Sequence, residues 1–210
     1  MQELDYKNWK RHEAYEYFSK ISNPFYMTTF KQDVTNLYDY AKIHNLSFYN
    51  SMIWACTQAI NLTDAFLITM RNGKFFVLNQ RNPSFTNLKS GEENFFIVTL
   101  NHNQNIKEFC KKASELSKNQ QNFIDEQKES DALIYFSCLP WIELTALTNA
   151  RDLSCKDSLN DNIPRISWGK FIEENSKKKL GISLEVNHRF IDGFHIGQFA
   201  LNLEKIIDEL

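Results

Sequence analysis

The fold is decided by residues 182–210, which read ISLEVNHRFIDGFHIGQFALNLEKIIDEL. Apolar and polar residues alternate from Ile182 to His188, which is the two-residue period of a strand with one buried face. The pair Asp192-Gly193 ends this alternation, and apolar residues then recur at helical spacing to the C-terminus. The stretch therefore predicts a half-buried strand that turns directly into an amphipathic helix.

Similar patterns upstream predict further helices and strands. The predicted helices begin near Tyr6, with Trp9, Tyr17 and Phe18 in the first, and continue with 34–43, 49–60 and 104–127. The predicted strands cover 74–78, 95–100 and 132–139, the last of them an unbroken apolar run typical of a central strand. This mixture favours the α/β class, as an α+β two-layer sandwich in which helices cover a large mixed sheet. We expect one domain over residues 1–210.

The composition narrows the class of partner. Hydrophobic residues make up 42% of the 210 residues and the formal net charge is −2, which supports a large core and argues against nucleic-acid and anionic-membrane partners. The lysines at 177–179 are expected in a solvated loop, with a phosphate-binding site as the alternative. The charged N-terminus lacks the apolar core of a secretion signal, and no run reaches the ~20 apolar residues of a membrane span. A cytoplasmic location is therefore expected.

Metal and disulfide chemistry is not expected. The four cysteines lie far apart without a CxxC pair, which predicts free thiols: Cys56, Cys110, Cys138 and Cys155. A metal site made from His188, Asp192 and His195 needs all three on one helix face. The break in the pattern at Asp192 disfavours that arrangement.

His188 is unusual because it occupies the apolar face of the strand pattern. Two interpretations are open: a satisfied core histidine, or a site residue at the end of a strand, where α/β sheets often place them. Asp192 is either the N-cap of the last helix or part of the site. His195 is as readily explained by packing or surface exposure as by catalysis.

The segment VNHRFIDGFH at 186–195 resembles the HHxxxDGFH signature of the chloramphenicol acetyltransferase family. Further motifs follow that family's order along the chain, from about residue 4 to the last: NWKR at 8–11, SFY at 47–49, NP at 82–83, LPW at 139–141 and GKF at 169–171. The resemblance implies a coenzyme A-dependent acyltransferase-like fold that forms a homotrimer. A dehydrogenase-complex acyltransferase core is disfavoured, because no lipoyl domain or flexible linker precedes these motifs.

The resemblance also implies the chemistry. His188 matches the general base that takes the proton from an acceptor hydroxyl while acetyl-CoA, the co-substrate, is attacked. Asp192 matches an acid that forms a structural ion pair with the arginine at Arg11. The family's active sites lie between subunits, so the histidine of one chain faces a pocket of the next.

Other matched residues imply contacts with the two substrates. Tyr17 and Phe18 match aromatics that line the acceptor pocket, although core packing explains them equally well. Lys170 matches a lysine near the phosphate end of coenzyme A.

Several positions depart from the family. Ala146 occupies the place of a serine that stabilises the oxyanion, so Thr145 and Ser167 become the candidates for that role, Ser167 through a water. Three further replacements leave the base in place but alter its surroundings: Asn187 for the first paired histidine, Leu67 for an arginine and Asn50 for a proline. We therefore expect an O-acetyltransferase acting on chloramphenicol or a related small alcohol. The alternative is a family member that binds a small ligand without turnover.

Overall fold

The computed structural model describes residues 1–102, 105–151, 153–154 and 156–210. Its α-helices are α1 (His12–Phe18), α2 (Thr35–Ile43), α3 (Phe48–Asn61), α4 (Ile106–Asn119) and α5 (Gly193–Asp208). Its strands are β1 (Gln2–Glu3), β2 (Phe25–Asp33), β3 (Ile68–Arg71), β4 (Lys74–Val77), β5 (Asn82–Leu88), β6 (Phe95–Thr99), β7 (Leu133–Leu139), β8 (Arg165–Gly169), β9 (Ile172–Glu174) and β10 (Lys177–Asn187). Short 3₁₀ helices cover Tyr6–Asn8, Asp64–Leu67, Glu126–Lys128 and Lys156–Asn160.

The main sheet is mixed and has seven strands within these ranges. Its order is β2-β10-β8-β7-β5-β6, and the short β9 pairs with β10. Strands β5, β7 and β8 run parallel, while β2, β8 and β9 pair antiparallel with β10 and β6 pairs antiparallel with β5. A small antiparallel sheet of order β1-β4-β3 lies beside it.

One face of the main sheet is covered by helices. Helix α3 packs against α2, α4 and α5 and against β5. Helix α2 also touches β10, and α5 touches β2. The shared core is apolar and includes Met52, Ile53, Phe109, Ile182, Leu184 and Phe199. The predicted architecture, a large mixed sheet with a helical layer, is confirmed.

The prediction that β10 is half-buried is wrong, because both of its faces are covered. Ile182 and Leu184 face the helical core, as predicted. The polar residues Ser183, Glu185 and Asn187 are also buried, and they form hydrogen bonds with residues that lie over this face: Leu147, Asn149, Leu159 and Asp161. Their polarity matches hydrogen-bond partners in the protein rather than water.

Three local predictions differ from the structure. The first helix starts at His12 rather than near Tyr6, since the chain makes a 3₁₀ turn at Tyr6–Asn8 and Trp9 precedes the helix. Helix α4 stops at Asn119, because Gln120 is extended and the polar residues that follow offer no apolar stripe. The lysines at 177–179 begin β10 instead of forming a loop, and Lys177 and Lys179 lie 3.1 and 3.2 Å from the Asp33 carboxylate.

None of the helices in the described ranges is both long and apolar enough to cross a membrane. Cys56, Cys110 and Cys138 are free thiols, and Cys155 lies outside the described residues. Over the same ranges no cluster of three His, Cys, Asp or Glu side chains has a metal-binding arrangement.

Candidate active site

His188 is the first residue after β10, in the turn that leads to α5. Its backbone N–H donates to the Pro24 carbonyl oxygen at 2.8 Å, which continues the pairing with the chain before β2. Its ring stacks on Phe18, with 3.7 Å between centroids, and lies 4.5 Å from the ring centroid of Tyr26. The side chain is partly exposed rather than part of the core.

The surroundings of His188 favour the neutral imidazole. Partial burial is the main cause that lowers its pKa, and the positive charge of Arg11 lowers it further, against a smaller opposing effect of Asp192. A pKa below the ordinary 6.5 or so leaves the ring unprotonated at neutral pH. His188 is therefore able to accept a proton there.

Arg11 ties the start of the chain to this turn. Its guanidinium forms an ion pair with Asp192 and donates to the His188 carbonyl oxygen at 2.5 Å. The Arg11 side chain is 11% exposed and that of Asp192 is 34% exposed. Burial raises the pKa of Asp192, but the Arg11 charge and the hydrogen bonds lower it more, so the carboxylate is ionised.

Asp192 is the N-cap of α5 in addition to being the ion-pair partner of Arg11. Its carboxylate accepts from the Phe194 N–H at 3.1 Å, and its own N–H donates to Nδ1 of His195 at 3.1 Å. This reciprocal arrangement is a capping box. His195 thus contributes to the helix start.

The two aromatics predicted for the acceptor pocket have different surroundings. Phe18, the last residue of α1, contacts the His188 ring, whereas Tyr17 is 63% exposed and touches Phe18. Tyr26 on β2 is a contact of His188 that the sequence did not indicate, because its strand carried no motif and was not predicted. Burial raises the pKa of Tyr26 to about 12, so its hydroxyl stays protonated.

The oxyanion candidates lie on other elements than His188. Thr145 and Ala146 are exposed on the chain that follows Trp141, and Ser167 is 1% exposed on β8. The Ser167 hydroxyl has no hydrogen-bond partner in the part of the chain that the structure describes. Lys170 is exposed just after β8, and its backbone N–H donates to the Ile142 carbonyl oxygen at 2.6 Å.

A cavity of about 560 Å³ lies on the side of the sheet where β5 and β7 run. It is lined by Tyr49, Thr86, Asn87, Leu88, Glu93, Phe95, Ser137, Cys138, Pro140 and Trp141. His188 is not among these residues, and its strand β10 is separated from β7 by β8. His188 and the 560 Å³ cavity therefore lie in different parts of one chain.

Two of the positions that depart from the family motifs have structural partners. The Asn187 amide donates at 2.9 Å to the carbonyl oxygens of Leu159 and Asp161 and so holds the chain over β10. The Asn50 amide donates to the Ser114 hydroxyl at 3.1 Å and links α3 to α4. Leu67 is partly buried beside the small sheet.

Comparisons with known sequences show relatives that match nearly the whole chain. The family model "CAT: Chloramphenicol acetyltransferase" matches residues 1–204. The chain is 24% identical to a chloramphenicol acetyltransferase of Proteus mirabilis over 217 aligned positions, which cover 98% of this chain and 94% of the relative. It is 25% identical to one of Clostridium perfringens over 200 positions, covering 93% and 90% of the two chains.

Solved structures agree as well. A chloramphenicol acetyltransferase superposes with a TM-score of 0.88 at 21% identity, covering 98% of this chain and 99% of that one. The dihydrolipoamide acetyltransferase of Azotobacter vinelandii superposes with a TM-score of 0.69 at 15% identity, over 93% and 85% of the two chains. The expected coenzyme A-dependent acyltransferase fold is confirmed, and the chain belongs to the chloramphenicol acetyltransferase family.

Proposed function

We propose that this protein is an O-acetyltransferase that moves the acetyl group of acetyl-CoA to a hydroxyl of chloramphenicol or a related small alcohol. The observation that carries the proposal is the state of His188. Its imidazole is neutral and partly exposed, stacked on Phe18, with its backbone carbonyl held by Arg11. These are the properties that a general base needs.

The reaction follows from that base. His188 takes the proton of the acceptor hydroxyl while the oxygen attacks the thioester carbonyl carbon of acetyl-CoA. The tetrahedral intermediate then collapses, the carbon–sulfur bond breaks and the coenzyme A thiolate leaves. The imidazolium returns its proton to that sulfur, so the free base is restored.

The complete site is proposed to form between subunits of a homotrimer. Support comes from the separation of His188 from the 560 Å³ cavity, whose lining comes from α3, β5, the turn after β5, β6, β7 and the residues after β7. In the trimer, His188 of one chain faces this cavity in the next. Phe18 and Tyr17 border the acceptor, and the exposed Lys170 binds the phosphate end of coenzyme A.

The oxyanion is assigned to the chain after Trp141. Ala146 has no hydroxyl, whereas the neighbouring Thr145 has one and is exposed. The unpartnered Ser167 hydroxyl on β8 is suited to hold a water in the same region. We place the activity in the cytoplasm, with antibiotic resistance as its consequence where chloramphenicol is the acceptor.

A second candidate is a binding protein that keeps the pocket but not turnover, and Ala146 favours it. Removal of one oxyanion donor typically costs about 10²–10³ in rate. The intact base and ion pair favour the enzyme.

A thiol-release assay distinguishes the two candidates. Acetyl-CoA is incubated with the protein alone, with chloramphenicol and with a panel of other small alcohols, and free coenzyme A is measured. Acceptor-dependent thiol release is expected. Calorimetric binding of chloramphenicol or another alcohol without any release identifies the binding protein instead.

A further inference from the structure

Residues 142–147, called here the cover segment, lie directly on the polar face of the main sheet. The Ile142 carbonyl oxygen accepts from the Lys170 N–H at 2.6 Å. A Cβ at Gly169 would overlap Ile142 and Leu144, and one at Gly181 would overlap the Leu144 carbonyl oxygen. The first half of the cover segment is therefore pressed against β8 and β10 at two glycines, where no other residue fits without displacement.

Ser183 on β10 holds the other end of the cover segment. Its hydroxyl accepts from the Leu147 N–H at 3.1 Å and donates to the Leu147 carbonyl oxygen at 2.9 Å. Thr29 on β2 lies 3.0 Å from the same hydroxyl. Because a serine hydroxyl has one proton to donate, Thr29 is the donor of that bond, and the Ser183 hydroxyl is fully used.

Thr145 and Ala146 lie between the anchor at Leu144 and the anchor at Leu147. Both are exposed, and neither backbone N–H donates to another group in the described ranges of the chain. This exposed stretch is thus short and held at both ends, and its two N–H groups have no acceptor among the described residues. Such preorganised donors stabilise a developing negative charge without reorganisation, and a shift of about 0.5 Å is enough to weaken them.

We propose that Ser183 is a positioning residue for the oxyanion, because it fixes the backbone at Thr145 and Ala146 through its two bonds to Leu147. This inference rests on the proposed acetyl transfer and deepens it. Ser183 is buried on β10, so its proposed action is through the cover segment rather than by contact with the substrates. The effect is needed here because Ala146 has no side-chain donor, so the geometry of the main chain and of Thr145 decides how well the oxyanion is bound.

The test compares Ser183→Ala with a matched control. Thr29→Val removes the third bond of the same hydroxyl but leaves both bonds to Leu147. Ser183→Thr keeps the hydroxyl and serves as the rescue variant. We expect Ser183→Ala to lower kcat by about 10–100-fold, which is a smaller effect than the complete loss of one oxyanion donor. The KM for acetyl-CoA should stay within twofold of the parent value. Thr29→Val and Ser183→Thr are expected to stay within about threefold of the parent kcat.

Hydrogen exchange provides a measurement that needs no activity. In Ser183→Ala the Leu147 amide should exchange faster, while amides of α3 and α5 keep their protection. Ala146→Ser in the Ser183→Ala background adds a coupling test. Any gain in kcat from the new hydroxyl should be smaller there than in the parent, because the segment that carries it is loose.

The outcomes separate this inference from the proposed function. Unchanged kcat in an active, folded Ser183→Ala protein overturns the positioning role, as does a fall in kcat that Thr29→Val reproduces. If the Leu147 amide exchanges at the parent rate in Ser183→Ala, the claim that Ser183 fixes the cover segment is overturned. If the parent protein transfers acetyl to no alcohol, the proposed function and the catalytic part of this inference fail together, whereas faster exchange at Leu147 still supports the structural part.

Discussion

The ring of His188 stacks on the ring of Phe18, with 3.7 Å between centroids and 24° between planes. Phe18 is the last residue of α1, and Arg11 is the N-cap of the same helix. Arg11 binds the His188 carbonyl oxygen, so this one short helix contacts the histidine at both of its ends. The position of α1 therefore sets both the backbone and the ring of the proposed base.

Replacement of His188 should remove acetyl transfer without unfolding the protein. We expect His188→Ala to lower kcat about 10²–10⁴-fold, because the partly exposed ring contributes a proton acceptor rather than core packing. His195→Gln is the control, since glutamine at this position preserves a capping box and removes the second imidazole. Steady-state kinetics of both variants check this. Parent-like turnover of His188→Ala, or an equal loss in His195→Gln, contradicts the assignment of His188 as base.

The two roles of Asp192 can be separated by two substitutions. Asp192→Asn keeps an N-cap acceptor and loses the charge, whereas Asp192→Ala loses both. We expect Asp192→Asn to lower the free energy of unfolding by about 1–3 kcal/mol and to lower kcat, since it leaves Arg11 without its counter-ion. This range is below that of a fully buried pair because the Asp192 side chain is 34% exposed.

Urea unfolding and kinetics measure the effect of the ion pair. Asp192→Ala should cost about 1 kcal/mol more than Asp192→Asn, the usual value of a lost N-cap. If Asp192→Asn equals the parent in both measurements, the residue is only a helix cap.

Ala146→Ser tests the oxyanion assignment. A serine hydroxyl restores a donor at the position where the family carries one, and the largest gain expected from one donor is about 2.7–4 kcal/mol of transition-state stabilisation. We expect a smaller gain in kcat, because Thr145 or a water on Ser167 already fills the role. If Ala146→Ser gains no activity and the parent transfers acetyl to no tested alcohol, the result indicates a binding protein instead of an enzyme.

His102 should make the protein sensitive to acid. It is buried between Trp54 and Phe109, neither ring nitrogen finds a partner in the described ranges, and burial lowers its pKa to about 4. The unfolded chain binds this proton near pH 6.5, so the stabilisation is complete above pH 6.5 and is lost as the pH falls from there toward 4.

The expected contribution of His102 is a loss of about 2 kcal/mol in the free energy of unfolding between pH 7.5 and pH 5. His102→Leu should remove that part of the pH dependence, and the exposed His44 provides the control variant His44→Gln. Urea unfolding of the parent and both variants at pH 7.5 and pH 5 measures this pH dependence of the free energy of unfolding. An unchanged pH dependence in His102→Leu assigns the acid sensitivity to other groups.

The sequence predicted the parts of the fold that a local pattern or an ordered motif specifies. The break at Asp192 separated β10 from α5. The family resemblance implied that Arg11 and Asp192 are partners, and the structure places them in contact. Strands β2, β5 and β8 were not predicted, since Pro83 and scattered polar residues obscure their period. The role of the polar residues on β10 also depended on partners that no local period reveals, among them Leu147, Asn149 and Leu159.

The contact of Tyr26 with His188 also could not be predicted from a local sequence pattern. It arises from the antiparallel pairing of β2 with β10, which brings Val186 opposite Tyr26. Pairing between strands that are distant in sequence is not encoded in the spacing of either strand, so the surroundings of the histidine required the structure.

The pairing of Arg11 with Asp192 also has a consequence for synthesis on the ribosome. The two residues are separated by 181 positions, and translation proceeds at about 5–20 residues per second. The segment that anchors the histidine is therefore made long before the turn that it anchors, and nascent chains that stop before residue 192 lack the counter-ion for Arg11. The position of His188 in a newly made chain should therefore become fixed abruptly, when the turn that carries Asp192 emerges, rather than gradually as the sheet grows.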